Sequence, residues 1–117
     1  MTYHPGTHLI ASIHSDNLAA LATSGRFKQL TDELINQYRL QKLGEVYHDF
    51  SPAGFTAVVC LSESHLSIHT WPEHGKVNLD IYLSNYEREN DGTVQAIYQS
   101  FLSFFEATVL EIQILKR

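Results

Sequence analysis

Residues 59–73 read Val59-Cys60-Leu61-Ser62-Glu63-Ser64-His65-Leu66-Ser67-Ile68-His69-Thr70-Trp71-Pro72-Glu73. From Leu66 to Thr70 the stretch alternates. Leu66, Ile68 and Thr70 fall on one side of a strand, and His65, Ser67 and His69 on the other. The first face is apolar and suits a core. The second sets two imidazoles and a hydroxyl side by side, which a plain core strand does not need. Such a face is either a wet outer surface or the floor of a site.

The neighbouring segments extend the same reading. Toward the C-terminus, Trp71-Pro72 stops the strand and His74-Gly75 turns the chain. Lys76 to Ser84 alternates again, with Val77, Leu79, Ile81 and Leu83 on one face and Asn78, Asp80, Tyr82 and Ser84 on the other. Tyr86 to Gly92 is a polar loop. Thr93 to Phe105 reads as a helix with Val94, Ile97, Phe101 and Phe104 on its buried side, and Thr108 to Leu115 as a last strand. Toward the N-terminus, Phe55 to Glu63 is a strongly apolar strand that follows the turn Ser51-Pro52-Ala53-Gly54. Lys42 to Phe50 is a short strand. Leu18 to Gln41 is helical, with a break near Ser24-Gly25 and a stripe of Phe27, Leu30, Leu34, Ile35 and Tyr38. Ser15-Asp16-Asn17 supplies N-caps for it. His8 to His14 is a first strand, opened by Pro5-Gly6. The order β-α-β-β-β-β-α-β predicts an α+β fold, a two-layer sandwich in which an antiparallel sheet carries both helical segments on one face. The other face is left for a site or a second subunit.

The chain has 117 residues, enough for one domain over 1–117. It is 44% hydrophobic and 18% charged, within the globular range. A net charge of -5 gives no support to nucleic acid or an anionic membrane as partner, and no apolar run reaches membrane-spanning length. The single cysteine, Cys60, allows no internal disulfide. No basic-then-apolar leader opens the chain, so the expected location is the cytoplasm. Cys60 lies in the apolar run Ala57-Val58-Val59-Cys60 and is expected in the core. His65, His69 and His74 are joined by neither a cysteine nor a His-Glu-x-x-His helix, so no metal site is expected.

Taken as a whole, Leu61-Ser62-Glu63-Ser64-His65-Leu66-Ser67-Ile68-His69-Thr70-Trp71-Pro72-Glu73 resembles the self-processing segment of the prokaryotic S-adenosylmethionine decarboxylase family. Gly6-Thr7-His8-Leu9 is similar to the family's first strand, and His48-Asp49-Phe50-Ser51-Pro52-Ala53-Gly54 to its aromatic-x-Pro-x-Gly turn. Asp80 falls where the family also has Asp. Decarboxylating an α-amino acid leaves a carbanion that needs an electron sink. The resemblance implies that this chain makes one from its own backbone. Ser64 would attack the Glu63 carbonyl and turn the amide into an ester. Elimination would break the chain between Glu63 and Ser64, and the new N-terminus would become a pyruvoyl group. Serine suits the task because its oxygen serves first as nucleophile and then as leaving group.

The same resemblance assigns roles to other residues. His69 matches the base that takes the Cα proton. Thr56 stands where the family commonly has Ser, keeping a hydroxyl near the ester and adding a methyl. Phe50 matches an adenine-stacking aromatic, and a ring near a sulfonium gains cation–π attraction. Glu73 matches a carboxylate that binds ribose hydroxyls. The implied substrate is S-adenosylmethionine, the implied product the aminopropyl donor for spermidine synthesis, and the implied assembly a homodimer of processed protomers.

Ser84 departs from the pattern. The family usually has Cys there, read as the acid that protonates Cα after carbon dioxide leaves, and an alkyl hydroxyl is a far weaker acid than a thiol. Three readings follow. Ser84 relays a proton from water or a histidine; or the substrate is another amino acid, such as arginine or ornithine; or the chain is a non-catalytic homologue that binds and regulates a partner. Each residue also has a plainer reading. Ser64 is then a turn serine, His65 and His69 are exposed strand histidines, Phe50 is a strand-end core aromatic, and Glu73 is a loop carboxylate. Trp71 reads as a structural ring in either case.

Overall fold

Six strands pair into one antiparallel sheet in the computed structural model of the chain, which describes residues 3–86 and 88–117. Met1 and Thr2, the first residues of the stretch expected to hold no leader, and Glu87 of the expected polar loop lie outside the described residues. The elements in chain order are β1 (Thr7–His14), α1 (Leu18–Ala22), α2 (Gly25–Gln37), β2 (Lys42–Asp49), β3 (Phe55–Leu61), β4 (Ser64–Trp71), a 3-10 turn (Pro72–His74), β5 (Lys76–Leu83), α3 (Asp91–Phe105) and β6 (Thr108–Lys116). Their spatial order is β2-β3-β4-β5-β1-β6, which places the motif strand β4 between β3 and β5.

Alternation builds the core. Leu66, Ile68 and Thr70 of β4 are buried beside Val77, Leu79, Ile81 and Leu83 of β5 and Leu9, Ala11 and Ile13 of β1. Each buried Leu or Ile stabilises the fold by roughly 1.5–3 kcal/mol. A one-residue slip would turn the whole set toward water, so the register is pinned. Phe27 of α2 meets Phe55 of β3 and Phe101 and Phe105 of α3 with ring centroids 4.8 to 5.9 Å apart. Thr70, a polar residue on the buried face, accepts the Phe55 N–H at 2.9 Å and donates to the Leu21 carbonyl at 2.8 Å. The α+β two-layer expectation holds, with the helices on one sheet face.

Several boundaries differ from the reading of the sequence. The break expected near Ser24-Gly25 is present, with an extended Thr23 separating α1 from α2, and Asn17, one of the expected N-caps, caps α1 by accepting from the Ala20 N–H. The α2 helix stops at Gln37 rather than Gln41, because Arg39 takes φ +55° and turns the chain into β2. The buried side of α3 carries Tyr98 and Phe105, with Phe104 only partly buried. The β3 strand ends at Leu61 and β4 starts at Ser64, so Ser62-Glu63 is a two-residue hairpin loop with Leu61 paired to Ser64. Neither loop residue is Gly or Asn, the usual marker of such a turn, so the sequence pattern carries the strand on through both. Cys60 is exposed, not core. In β3 the residues Phe55, Ala57, Val59 and Leu61 are buried, and period two turns Val58 and Cys60 to the open face.

The last strand, β6, pairs only with β1 and is exposed along its whole length. Val109, Ile112 and Ile114 lie opposite Ile13, Ala11 and Leu9 on the helix side, yet the helices do not reach them. Among the described residues, no helix is long and apolar enough to cross a membrane.

Candidate active site

The open face of β4 has chemistry at both ends. At its start lies the Glu63–Ser64 bond. Ser64 has φ +139°, a conformation that L-residues rarely adopt; strain of this kind costs of order 1–3 kcal/mol. Its Oγ lies 3.1 Å from Nδ1 of His65. The Glu63 carbonyl accepts a 2.8 Å hydrogen bond from the Ser84 N–H. That donor is aimed at the oxygen that would gain charge if a nucleophile attacked the carbonyl. The Glu63 carboxylate is gripped by Arg88 through Nε and Nη2, both at 2.9 Å, and Nη2 also donates to the carbonyls of Tyr38 and Arg39 at 3.0 Å.

Ser84 is itself held by the loop that follows. Buried Asn90 donates from Nδ2 to the Ser84 carbonyl at 2.9 Å and from its backbone N–H to Asn85 Oδ1 at 2.6 Å. Asn85 donates in turn to Asp91 at 3.0 Å. Hydrogen bonds from Asn85, Thr7 and Lys116 hold the Asp91 carboxyl down to about 2. Gly6 passes so close to this backbone that a Cβ there would sit 2.5 Å from the Leu83 carbonyl oxygen and 2.9 Å from Ser84 Cα. A cavity of about 350 Å³ opens at the junction, lined by Gln41, Ser62, Glu63, Ser84 and Tyr86. A larger cleft of about 620 Å³, beside His4, Asn85, Arg88 and Asp91, does not include the Glu63–Ser64 bond.

The other group gathers at the far end of β4. His69 faces Thr56 across the β3–β4 pair, and its ring lies 5.5 Å from Phe50 and 4.1 Å from Trp71. Thr56 donates to the Ile68 carbonyl at 3.2 Å. Phe50 is 40% exposed, so it is not a core aromatic. Glu73 is exposed in the 3-10 turn that follows β4. Trp71 packs between His69 and Lys76, whose Nζ sits 5.6 Å from the ring centre.

Ser64, Glu63 and Ser84 are therefore brought together, and so are Phe50, Thr56 and His69. The two groups are not joined within one chain. Five residue steps along a strand separate Ser64 from His69, about 16 Å. Between them the open face is polar and ordered. His8 Nδ1 accepts from Arg117 at 3.1 Å, so Nε2 carries the hydrogen and donates to Asp80 at 3.1 Å. Ser67 donates to the other Asp80 oxygen at 3.3 Å. Reading the sequence missed Arg88 and Asn90, which sit in a polar loop with no motif. It also missed the Ser84 backbone N–H, which no residue type advertises.

The S-adenosylmethionine decarboxylase family model matches residues 7–117. An S-adenosylmethionine decarboxylase proenzyme of Archaeoglobus fulgidus is 36% identical over 101 residues, covering 86% of this chain and 87% of the relative. A proenzyme of the same description from Thermoplasma acidophilum is 42% identical over 77 residues, 66% of this chain and 59% of that one. The crystal structure of the adenosylmethionine decarboxylase of Aquifex aeolicus superposes with a TM-score of 0.79 over 99% of this chain and 91% of that one, at 24% identity, and so shares the fold. With its family match running from β1 through β6, this chain belongs to the S-adenosylmethionine decarboxylase family.

Proposed function

We propose that the chain is a proenzyme that cuts itself between Glu63 and Ser64 and then decarboxylates S-adenosylmethionine, yielding the aminopropyl donor for spermidine synthesis in the cytoplasm. The observation that carries this reading is the junction itself. A strained Ser64 stands beside a carbonyl already hydrogen-bonded by the Ser84 N–H at 2.8 Å. A serine hydroxyl next in the chain and a backbone donor on the carbonyl oxygen are the nucleophile and oxyanion donor that such an attack would use. The donor set thus fits an origin of the pyruvoyl group at Ser64. That group supplies a carbonyl electron sink for the carbanion left by decarboxylation.

The remaining roles are those that the family resemblance implies. His69 takes the Ser64 Cα proton in the elimination step, and Thr56 holds the ester. Phe50 stacks on the adenine, Glu73 binds the ribose hydroxyls, and Ser84 relays a proton to Cα. The separation of about 16 Å along β4 means that these residues cannot serve the Ser64 of their own chain. The active form is therefore a homodimer in which each site joins Glu63, Ser64 and Ser84 of one protomer to Phe50, Thr56, His69 and Glu73 of the other. The open sheet face supports this assembly, since Ile10 and Val58 are exposed there at 36% and 52%.

The test is the intact mass of freshly purified protein under denaturing conditions, followed by carbon dioxide release from S-adenosylmethionine, ornithine and arginine. Two fragments and release from S-adenosylmethionine are expected. A single uncleaved species after long incubation would sink the enzyme reading and leave a regulatory homologue. Release from ornithine or arginine alone would move the substrate.

A further inference from the structure

Adjacent residues of a strand point to opposite faces, so Ser64 and His65 ought to be turned apart. They are not. Ser64 opens β4 at φ +139°, and its Oγ and the His65 Nδ1 share a 3.1 Å hydrogen bond. We propose that His65 is the catalytic base of the first processing step, taking the proton from Ser64 Oγ as that oxygen attacks the Glu63 carbonyl. The role rests on the reading of the chain as a self-cleaving proenzyme and is separate from the one given to His69.

The step balances without a co-reactant. A bond forms between Ser64 Oγ and the Glu63 carbonyl carbon, and the bond from that carbon to the Ser64 nitrogen breaks. The proton passes from Oγ to His65 Nδ1 and on to the Ser64 nitrogen, which becomes a free amine. In between, the Glu63 oxygen carries negative charge and faces the Ser84 N–H, 2.8 Å away. Nucleophile, base and oxyanion donor thus all belong to one chain. The second step removes a different proton, from Cα, and its assigned base lies about 16 Å away along the same strand. The acyl shift is carried in cis and the elimination by the partner subunit.

The surroundings of His65 hold its ring for this task, as a base needs a third group to orient it. Its ring meets Tyr82 edge-on with centroids 5.8 Å apart and His8 with centroids 6.0 Å apart. The His8 ring is fixed in turn by Asp80 and Arg117, at 3.1 Å each. Nδ1 is left pointing at Ser64.

Hydroxylamine separates the two steps, because it cleaves esters and spares peptide bonds. The variants H65A, H65N and H69A are purified and incubated with and without it, and fragments are counted by mass. The H65A protein is expected to stay full length and to resist hydroxylamine, with processing slowed at least ~100-fold, the usual scale of general-base catalysis. Free imidazole should restore its cleavage. An Asn amide can reach the Nδ1 position and keep the hydrogen bond but cannot take the proton, so H65N should also stay whole. H69A should yield two fragments with hydroxylamine, since its ester forms and is not eliminated. The proposal is overturned if H65A cleaves at the wild-type rate, if H65A accumulates a hydroxylamine-sensitive ester, or if H65N processes normally. Wild type and H69A both remaining whole in hydroxylamine would instead overturn the self-cleavage reading on which the proposal stands.

Discussion

In the proposed mechanism the two ends of β4 carry different halves of one chemistry. The Ser64 end is held by the Ser84 N–H on the Glu63 carbonyl, by Gly6 packed against the Leu83 and Ser84 backbone, and by the Arg88 ion pair with Glu63. The His69 end is a set of exposed or half-buried side chains, Phe50, Thr56, His69 and Glu73, with rings in contact but no covalent target near them. A bond to be broken must be fixed in place, and backbone contacts do that best. Groups that meet a small molecule must stay accessible. A strand cannot bring its own ends together, so the proposed chemistry needs the two halves to come from two subunits.

Mixed dimers test that division most directly. Neither S64A nor H69A is expected to cleave alone. Co-expressed, they should yield hybrids in which the H69A chain is cut, because it keeps Ser64 and receives His69 from the S64A partner. An absence of fragments in the mixture would place both halves in one chain. A smaller effect is expected from G6A. The added methyl must push against backbone atoms 2.5 and 2.9 Å away, moving the Ser84 N–H off Glu63. Loss of one oxyanion donor commonly costs about 10²-fold, so cleavage timed by mass should slow on that scale with the fold retained. Processing at the wild-type rate would remove the Ser84 N–H from the account.

S84C puts a thiol at the proposed proton-donor position and should raise turnover of the processed enzyme by about tenfold, less than the ~10²-fold or more that a general acid contributes outright, because the Ser84 relay already supplies part of it. Unchanged turnover would show that Ser84 carries no proton. The mildest effect concerns Asp91, which ties the Ser84 loop to β1 and β6. Its carboxyl lies at about 2 in the folded chain against an ordinary 3.8. The unfolded state therefore binds the proton first, and the stability added by Asp91 is complete above the ordinary value and fades as pH falls toward about 2. D91N should be less stable than wild type at neutral pH, with the gap closing in that acid window in denaturant titrations. Because the side chain is 40% exposed, the effect should be small.

The sheet was legible because its residues alternate. Leu66, Ile68 and Thr70 point inward as their spacing demands, and the same spacing, applied to Phe55–Leu61, would have turned Cys60 outward. Its neighbours Val58 and Val59 are both apolar, and the run read as core. The hairpin at Ser62-Glu63 was invisible because neither residue is a turn former. At the site, the proposed nucleophile, base and substrate residues came from a motif. The relation of Ser64 to His65 did not, since strand geometry predicts the opposite.

The sequence by itself determined the secondary-structure order, the buried faces of β4 and β5, and the family with its chemistry. These rest on local periodicity and on residue types, which are written position by position. Only the tertiary structure decided that the Ser84 N–H meets the Glu63 carbonyl, that Arg88 and Asn90 hold the junction, and that Ser64 and His69 stand at opposite ends of one strand. Those facts depend on backbone hydrogen bonds between distant segments and on the rise of an extended chain. Neither leaves a mark on the identity of any single residue.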